Sequence, residues 1–533
     1  MNDKPIVIVG AGLAGLTSAA YLTKEGYEVT LIEKNEDCGG LLNSFNYRDF
    51  IFDVGARSIE NSGIVKPLFK DLGIDIEFED SLVSIGIEDN VISFTNLESI
   101  KSFKDLLITT FPNNINDIDI IFKQIYKITK SMEIMYGFDN PIFKKDFTKD
   151  KEYLIHELLP WFPKFVKSVL HMNRLNKPVE LFLQKYTKNQ SLIDMISQHF
   201  FKNTSTFFAL GYFYVYQDYI YPKNGTGEVT KKLKEKALID GLIIKNNTTI
   251  VKINPIDHNV IDDKGNIYSY SNLIWASNLN DLYSLMNTKK LNKKVYNKFT
   301  ITKEKLLKSR GGDSVFSIYL GIDKPVSYFS DISNGHFFYT PNKKGLNNIH
   351  TSKLNDIIIN FESYSKEQII NWIDQFFEFN TFEISIPSIR NEKLSPNGKT
   401  GLIASVLFEY DFIKKIEEAN WYDEFKAIME DKIIEVLSSS IYLGLNNHIL
   451  FKFSYTPLTI QKRVNTSQGA ITGWTYERET PVVNKLFKIG KAVITPINDI
   501  YQAGQWAYSP AGIPTSILTG KYAADTIINK NKK

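Results

Sequence analysis

The chain has 533 residues, 43% hydrophobic and 23% charged, and its 63 Lys and Arg against 60 Asp and Glu leave a formal charge of +3. That length exceeds one simple core and makes two domains the natural reading, while the near balance of charge excludes a global pull toward nucleic acid. A single cysteine, Cys38, excludes an intramolecular disulfide framework and fits a reducing compartment.

No secretory leader is visible before Pro5 and no apolar run reaches membrane-spanning length. The expectation is a cytoplasmic protein, with peripheral contact to the inner face of a membrane as a further option. From Pro5 to Gly40 the chain reads PIVIVGAGLAGLTSAAYLTKEGYEVTLIEKNEDCGG. Ile6 to Val9 form an apolar run typical of a strand buried on both faces, and Gly10, Gly12 and Gly15 follow at GxGxxG spacing. Gly10 permits a sharp turn, Gly12 leaves room for a pyrophosphate, and Gly15 lets the next helix lie close to the strand. That helix is expected over about Leu13 to Lys24, its N-terminal N–H groups aimed at a diphosphate, with Gly26 ending it. A second strand, Tyr27 to Ile32, leads to Glu33, whose carboxylate suits a ribose 2′-OH and would repel a 2′-phosphate. The stretch is a dinucleotide cradle, and this motif alone does not separate NAD from FAD.

Beyond the cradle, LLNSFNYRDFIFDVG reads as two short strands around a polar turn, with Asp53 and Gly55 at the exit. From about Val91 to Tyr219 the period becomes helical. Within that insertion Leu154 to Met172 carries Trp161, Phe162, Phe165, Val166 and Leu170 beside Lys164, Lys167 and His171. Such a mix can dock on an anionic membrane, but Pro160 and Pro163 interrupt it and favour a buried lid helix with snorkelling lysines. Phe207 to Pro222 is dense in aromatics and reads as domain core, tunnel wall, or both. A helix over Glu228 to Leu238 and a buried strand over Leu273 to Asn278 follow. Lysines from Lys289 to Lys308 read as a solvated helix face. Asp313 to Ile322 opens a second sheet with helices at about Lys366 to Phe377 and Trp421 to Leu437. The seven His residues form no ligand cluster, so no metal is expected, and His336 and His350 read as satisfied structural groups. Tyr501 and Gln502 end a last strand, and Pro514 presets a closing helix to about Ile527.

Three stretches in order, the cradle with Asp37 to Gly40 and FDVGARS (Phe52 to Ser58), Tyr221 to Ile253, and Ile500 to Ile527, resemble the phytoene desaturase-like flavoproteins. That group also holds carotenoid isomerases and retinol saturases and lies in the superfamily of the amine and protoporphyrinogen oxidases. Leu394 to Leu407 and Tyr455 to Trp474 resemble it too. The resemblance implies an α/β Rossmann-like FAD-binding domain assembled from 1–90, 221–300 and 460–533. It implies an α+β substrate domain, with a mixed or antiparallel sheet, from the helical insertion 91–220 and the sheet 301–459. FAD would touch Gly10, Ala11, Gly12, Leu13, Ala14, Gly15, Glu33, Lys34, Gly39, Gly40, Leu41, Gly55, Ala56, Arg57, Val251, Ser277, Gly504, Gln505, Gly512 and Ile513. Leu41 stands where the family usually has a basic residue, and Gln505 where many members have an acid. Val251 matches a position whose backbone meets adenine, and the closing helix would aim its N-terminus at the ring's N1 and C2 carbonyl. Arg57 and Ser58 become candidates to face ring or substrate, with a plain surface charge as the alternative for Arg57. Trp506 beside the ring is implied only by resemblance, its alternative being simple packing.

The expected activity is hydride transfer between FAD and a carbon–carbon bond of a bulky apolar substrate such as a polyene, isoprenoid or other lipid. No general acid or base stands out, and the electron partner has no signature. A double-bond isomerase without net redox change, an amine oxidase, and a non-catalytic flavin-binding assembly factor remain as alternatives.

Overall fold

The computed structural model of the chain describes residues 4–144 and 150–532. A five-stranded parallel sheet runs in the order Ile243–Lys245, Val29–Ile32, Ile6–Val9, Asn272–Trp275, Ile500–Gln502. Its strands are apolar throughout because both faces are covered. Ile6 and Ile8 face one core with the helices Leu13–Lys24, Glu228–Ile239 and Ile513–Asn531, whereas Val7 and Val9 face another. That second core is closed by a three-stranded antiparallel sheet over Ile250–Asn254, Asn259–Asp262 and Ile267–Ser269. Gly73 in the left-handed region ends the helix Val65–Leu72 on the same layer.

A seven-stranded sheet forms the second lobe, in the order Ile449–Tyr455, Ser314–Ile322, Thr400–Phe408, Phe382–Ser385, His336–Thr340, Val83–Ile87, Asn90–Phe94. It is mixed: His336–Thr340 and Val83–Ile87 run parallel and the other neighbours antiparallel. Side chains alternate across it with period two. Phe316, Ile318, Leu320, Phe337, Ile384 and Ala404 face a core shared with the helices Lys366–Phe379, Tyr410–Glu418 and Tyr422–Ser439. Ser317, Tyr319, His336, Phe338, Glu383 and Ser405 face the opposite way, into a cavity. The hairpin Ser44–Tyr47 and Phe50–Asp53, turned by Arg48 and Asp49 at φ 52° and 67°, packs Phe45, Phe50 and Phe52 on this sheet. The short antiparallel set Ile59–Glu60, Tyr219–Pro222 and Phe78–Asp80 also ties the lobes together.

Two expectations need correction. A boundary at residue 90 falls inside the hairpin Val83–Ile87 and Asn90–Phe94, which belongs to the second sheet. The short polar loop between those strands resembles a linker in composition, but Val83, Ile85 and Phe94 are core residues packed under the helices Ser99–Thr110 and Ile115–Tyr136. The segment around Trp161 is not a buried lid. It forms a helix, Leu159–Arg174, that carries Pro163 internally after a wide turn over Leu154–Leu158, a geometry that relieves the missing N–H. Trp161 stacks between Phe138 and Phe165 at 4.4 and 4.5 Å and donates to Ile134 O at 2.7 Å. The other side stays bare: Leu159, Phe162 and Leu170 are 61%, 51% and 53% exposed.

Candidate active site

One cavity of about 700 Å3 runs from the cradle glycines to the polar face of the seven-stranded sheet. At its first end the three cradle glycines have separable duties. Gly10 lies at φ 101°, and a Cβ there would meet Ala276 O at 2.7 Å; a Cβ on Gly15 would sit 1.9 Å from Gly10 O. A Cβ on Gly12 would meet no protein atom within 4 Å. Gly12 therefore borders open volume, and the helix it begins has no side-chain cap, so its first N–H groups have no side-chain partner. Glu33 Oε2 accepts from Ala11 N at 2.8 Å and Oε1 from Asn35 N at 3.0 Å, so the carboxylate is held at the cavity edge. Of the twenty residues expected around the cofactor, all but Ala11 and Gly15 line the cavity. Those two lie one layer behind, Ala11 fixing Glu33 and Gly39 and Gly15 packing on Gly10. Lys34 sits at the rim, donating to Lys462 O at 3.2 Å, and Val251 is 45% exposed at the same edge.

Gly55, Ala56, Arg57, Gly504, Gly512 and the N-terminus of the closing helix Ile513–Asn531 also line the cavity. Gly55 is required by close approach, since a Cβ would lie 2.4 Å from Leu41 O. Arg57 is no surface charge: it is 3% exposed, donating to Asp53 O at 2.6 Å and to Ser405 Oγ at 3.0 Å. The surface-charge alternative fails because the strand before it turns inward onto the second sheet, where Ser317 and Ser405 supply hydroxyl partners. Its Nε is buried without a partner among the described residues, a donor left for a ligand at a cavity wall. Trp506 is buried against Trp474, ring centres 4.8 Å apart, and also lines the cavity.

At the far end Glu60, His199 and Glu383 escaped the sequence reading, whereas Ser58 and His336 did not. Glu60 lines the cavity with its Oε1 bonded by Tyr212 OH, which in turn accepts from Tyr219 OH at 2.7 Å. Burial pushes its carboxyl up to about 7, against the lowering effect of the Tyr212 bond. Ser58 Oγ lies 2.9 Å from His336 Nδ1, and His336 Nε2 lies 3.0 Å from Glu383 Oε1. Burial pushes His336 down; burial would raise Glu383, but the His336 hydrogen bond and the Arg57 charge hold it low. The pair is therefore a neutral imidazole donating to a carboxylate. His199, pushed down to about 3 by burial, meets Tyr216 OH at 2.9 Å and packs on Phe338. The period-two pattern of HFFYT and FEISIPS could have sorted His336 and Glu383 onto one face; nothing local marks Glu60 or His199. Among the described residues no group of His, Cys, Asp and Glu could hold a metal.

Glycine cradle, parallel sheet and a cavity shared with a second, mixed-sheet lobe give the architecture of a two-domain dinucleotide-binding protein. A family model described as an NAD(P)-binding Rossmann-like domain matches residues 8–72. Along nearly its whole length the chain is similar to proteins named as carotenoid desaturases and oxygenases. It is 22% identical to 4,4'-diaponeurosporene oxygenase of Staphylococcus haemolyticus, over 99% of this chain and 97% of that protein. It is 21% identical to 1-hydroxycarotenoid 3,4-desaturase of a Flavobacterium species, over 99% and 100%. With phytoene desaturase of Fusarium fujikuroi the identity is 22% over 99% and 90%. Among solved structures, putrescine oxidase bound to putrescine superposes with TM-score 0.58 at 14% identity over 99% of each chain. Reduced UDP-galactopyranose mutase gives 0.57 at 15% over 100% and 95%. Those two likenesses concern the fold.

Gly12→Val is expected to fold with a thermal midpoint close to the unsubstituted protein yet to purify without flavin. Gly15→Val, forced against Gly10 O, loses both flavin and stability, by roughly 1–3 kcal/mol or more in denaturant unfolding. A folded Gly12→Val protein with full flavin content would refute the cradle assignment. Because the folded Glu60 carboxyl titrates near 7 and the unfolded one near 4.5, the native state holds the extra proton between those values. Stability therefore falls as pH rises through that window, by about 1.4 kcal/mol for each pH unit at most. Glu60→Gln should gain stability over the parent on going from acid to mildly alkaline buffer, and identical pH dependence in chemical denaturation would show that Glu60 ionises freely.

Proposed function

We propose that this chain is an FAD-dependent oxidoreductase that moves hydride between the flavin and a carbon–carbon bond of a long apolar substrate, a polyene or isoprenoid. The observation that carries this reading is the continuity of the cavity. It joins a diphosphate cradle to an aromatic chamber walled by Phe200, Phe208, Phe338, Tyr212 and Tyr219. Relatives named for carotenoid desaturation and oxygenation match along nearly the whole chain. When bound, FAD would supply a two-electron acceptor that needs no activated side chain.

The chain's own residues supply the rest. Gly12 and the cradle helix would hold the diphosphate, Glu33 the adenosine ribose, and Val251 the adenine edge. Glu33 favours an unphosphorylated ribose and so FAD over NADP. Gly512 and Ile513 present helix N–H groups, and so positive partial charge, to the middle of the cavity. The aromatic walls orient a rod-like substrate and exclude water. Glu60 is the wall group able to take up or release a proton near neutrality, at Oε2, because Oε1 is engaged by Tyr212.

An apolar substrate of this kind lives in membranes. Among the described residues no helix is long and apolar enough to cross one. The bare face of Leu159–Arg174, with Phe162 and Leu170 beside Lys164 and Lys167, supports shallow contact with an anionic lipid surface instead. The arrangement is an apolar stripe flanked by cations.

Oxidised and photoreduced holoprotein, each mixed with acyclic polyenes, should yield products differing by two hydrogens in mass spectra, with matching bleaching or reoxidation of the flavin. Bleaching by amines with release of peroxide, and none by polyenes, would overturn the reading. Phe162→Asp is expected to lower co-sedimentation with phosphatidylglycerol vesicles severalfold while leaving flavin content unchanged. Equal partition of both proteins would remove the membrane contact.

A further inference from the structure

The chamber is not uniformly apolar. Phe338 lies at its floor, and two polar side chains flank it. His199 packs on the ring with centres 5.1 Å apart, and Glu383 is the cross-strand register partner of Phe338. Each has one polar atom engaged and one open. His199 Nε2 meets Tyr216 OH at 2.9 Å while Nδ1 has no partner among the described residues. Glu383 Oε1 meets His336 Nε2 at 3.0 Å while Oε2 has none, and 35% of its side-chain surface stays open although protein surrounds it. The opening is the cavity itself. A pure hydrocarbon seated there would strip water from a carboxylate oxygen and a ring nitrogen and return nothing.

We propose that His199 and Glu383 form a subsite for a hydroxyl group, so that the apolar ligand is an isoprenoid or polyene alcohol rather than a plain hydrocarbon. This rests on the apolar-substrate reading above and narrows it. A hydroxyl both donates and accepts: it can donate to Glu383 Oε2 while accepting from His199 Nδ1–H, in the tautomer whose Nε2 accepts from Tyr216 OH. A carbonyl can only accept and would face the carboxylate. Charged ligands fail on a different count. The guanidinium groups of Arg57 and Arg390 act on this corner together with the carboxylates of Glu383 and Asp53, two charges of each sign. An ammonium or carboxylate would add a buried charge without a partner.

Oxidised holoenzyme would be titrated calorimetrically with geranylgeraniol, its methyl ether and the matching deoxygenated hydrocarbon, all in the same detergent micelles. The alcohol should bind about tenfold or more tightly than either analogue, as expected for a site built around a hydroxyl. Glu383→Gln should bring the alcohol to within about twofold of the hydrocarbon without changing hydrocarbon affinity. His199→Phe, which leaves the Glu383 and His336 pair intact, should do the same and decides the matter if the first variant loses flavin. Equal binding of all three ligands by the parent overturns the subsite and leaves the apolar chamber standing. A preference that survives both substitutions also overturns it. Binding of none of the three removes the apolar-substrate reading together with the subsite.

Discussion

Gly520 lies so close to the cradle helix that a Cβ there would sit 2.5 Å from Ala14 O, and Ser18 Oγ donates to Gly520 O at 2.8 Å across the same contact. Few side chains separate the helices Leu13–Lys24 and Ile513–Asn531, so their backbones approach directly. That approach brings the starts of both helices, Gly12 and Gly512, to one cavity. Two helix N-termini without side-chain caps then open onto the same cavity. Chain ends some 500 residues apart share one site because small residues let them touch. Separating the helices by one methyl group would disturb both polar ends together, and this contact therefore governs the rest of the fold.

The second constraint is the pleat of the seven-stranded sheet. Its period of two sorts each strand into a face buried under helices and a face that walls the chamber. The sorting is strict: Phe337 and Tyr339 go under the helices, His336 and Phe338 into the cavity. Polar residues in such strands are therefore not defects in a core. Ser317 and Ser405, 2.8 Å apart across neighbouring strands, hold Arg57 from below, and Glu383 holds His336. A one-residue slip would bury Glu383 in the apolar layer and expose Ile384, so the register that stabilises the sheet also positions the chemistry.

What was legible in the chain follows from range. The cradle is local: strand, glycines, helix and Glu33 lie within thirty residues, and each residue's steric duty can be read from its neighbours. The closing helix was legible for the same reason, through Pro514 and the glycine before it. The substrate end is not local. Glu60, His199, Tyr212, His336 and Glu383 come from five separate stretches, and no spacing in sequence announces that they converge. Arg57 illustrates the difference, since its identity was noticed while its burial depended on serines 260 and 348 residues away. The helix Leu159–Arg174 failed for the opposite reason. Two prolines suggested interruption and burial, but one sits in the first turn, where its missing N–H is harmless, and the other is absorbed after a widened turn.

The two ends of the cavity supply polarity by different means, and this bears on what each can bind. At the cradle the donors are backbone N–H groups, rigid and uncharged, of a kind that suits an anionic group. In the chamber the polar atoms belong to side chains on separate stretches, and those of Glu60, His199 and Glu383 are paired on one side and open on the other. The pleat, not the hydrogen bond between them, sets the positions of His336 and Glu383. Glu60 is distinct among the chamber groups: it has a phenol for a partner and no cation within ion-pair distance among the described residues, whereas Glu383 is held ionised by His336 and nearby guanidinium charge. Two carboxyls in one chamber thus sit in opposite protonation regimes, one fixed as an acceptor and one able to change state near neutrality. The fixed one is suited to recognising a group that stays unchanged, the other to following a proton that moves.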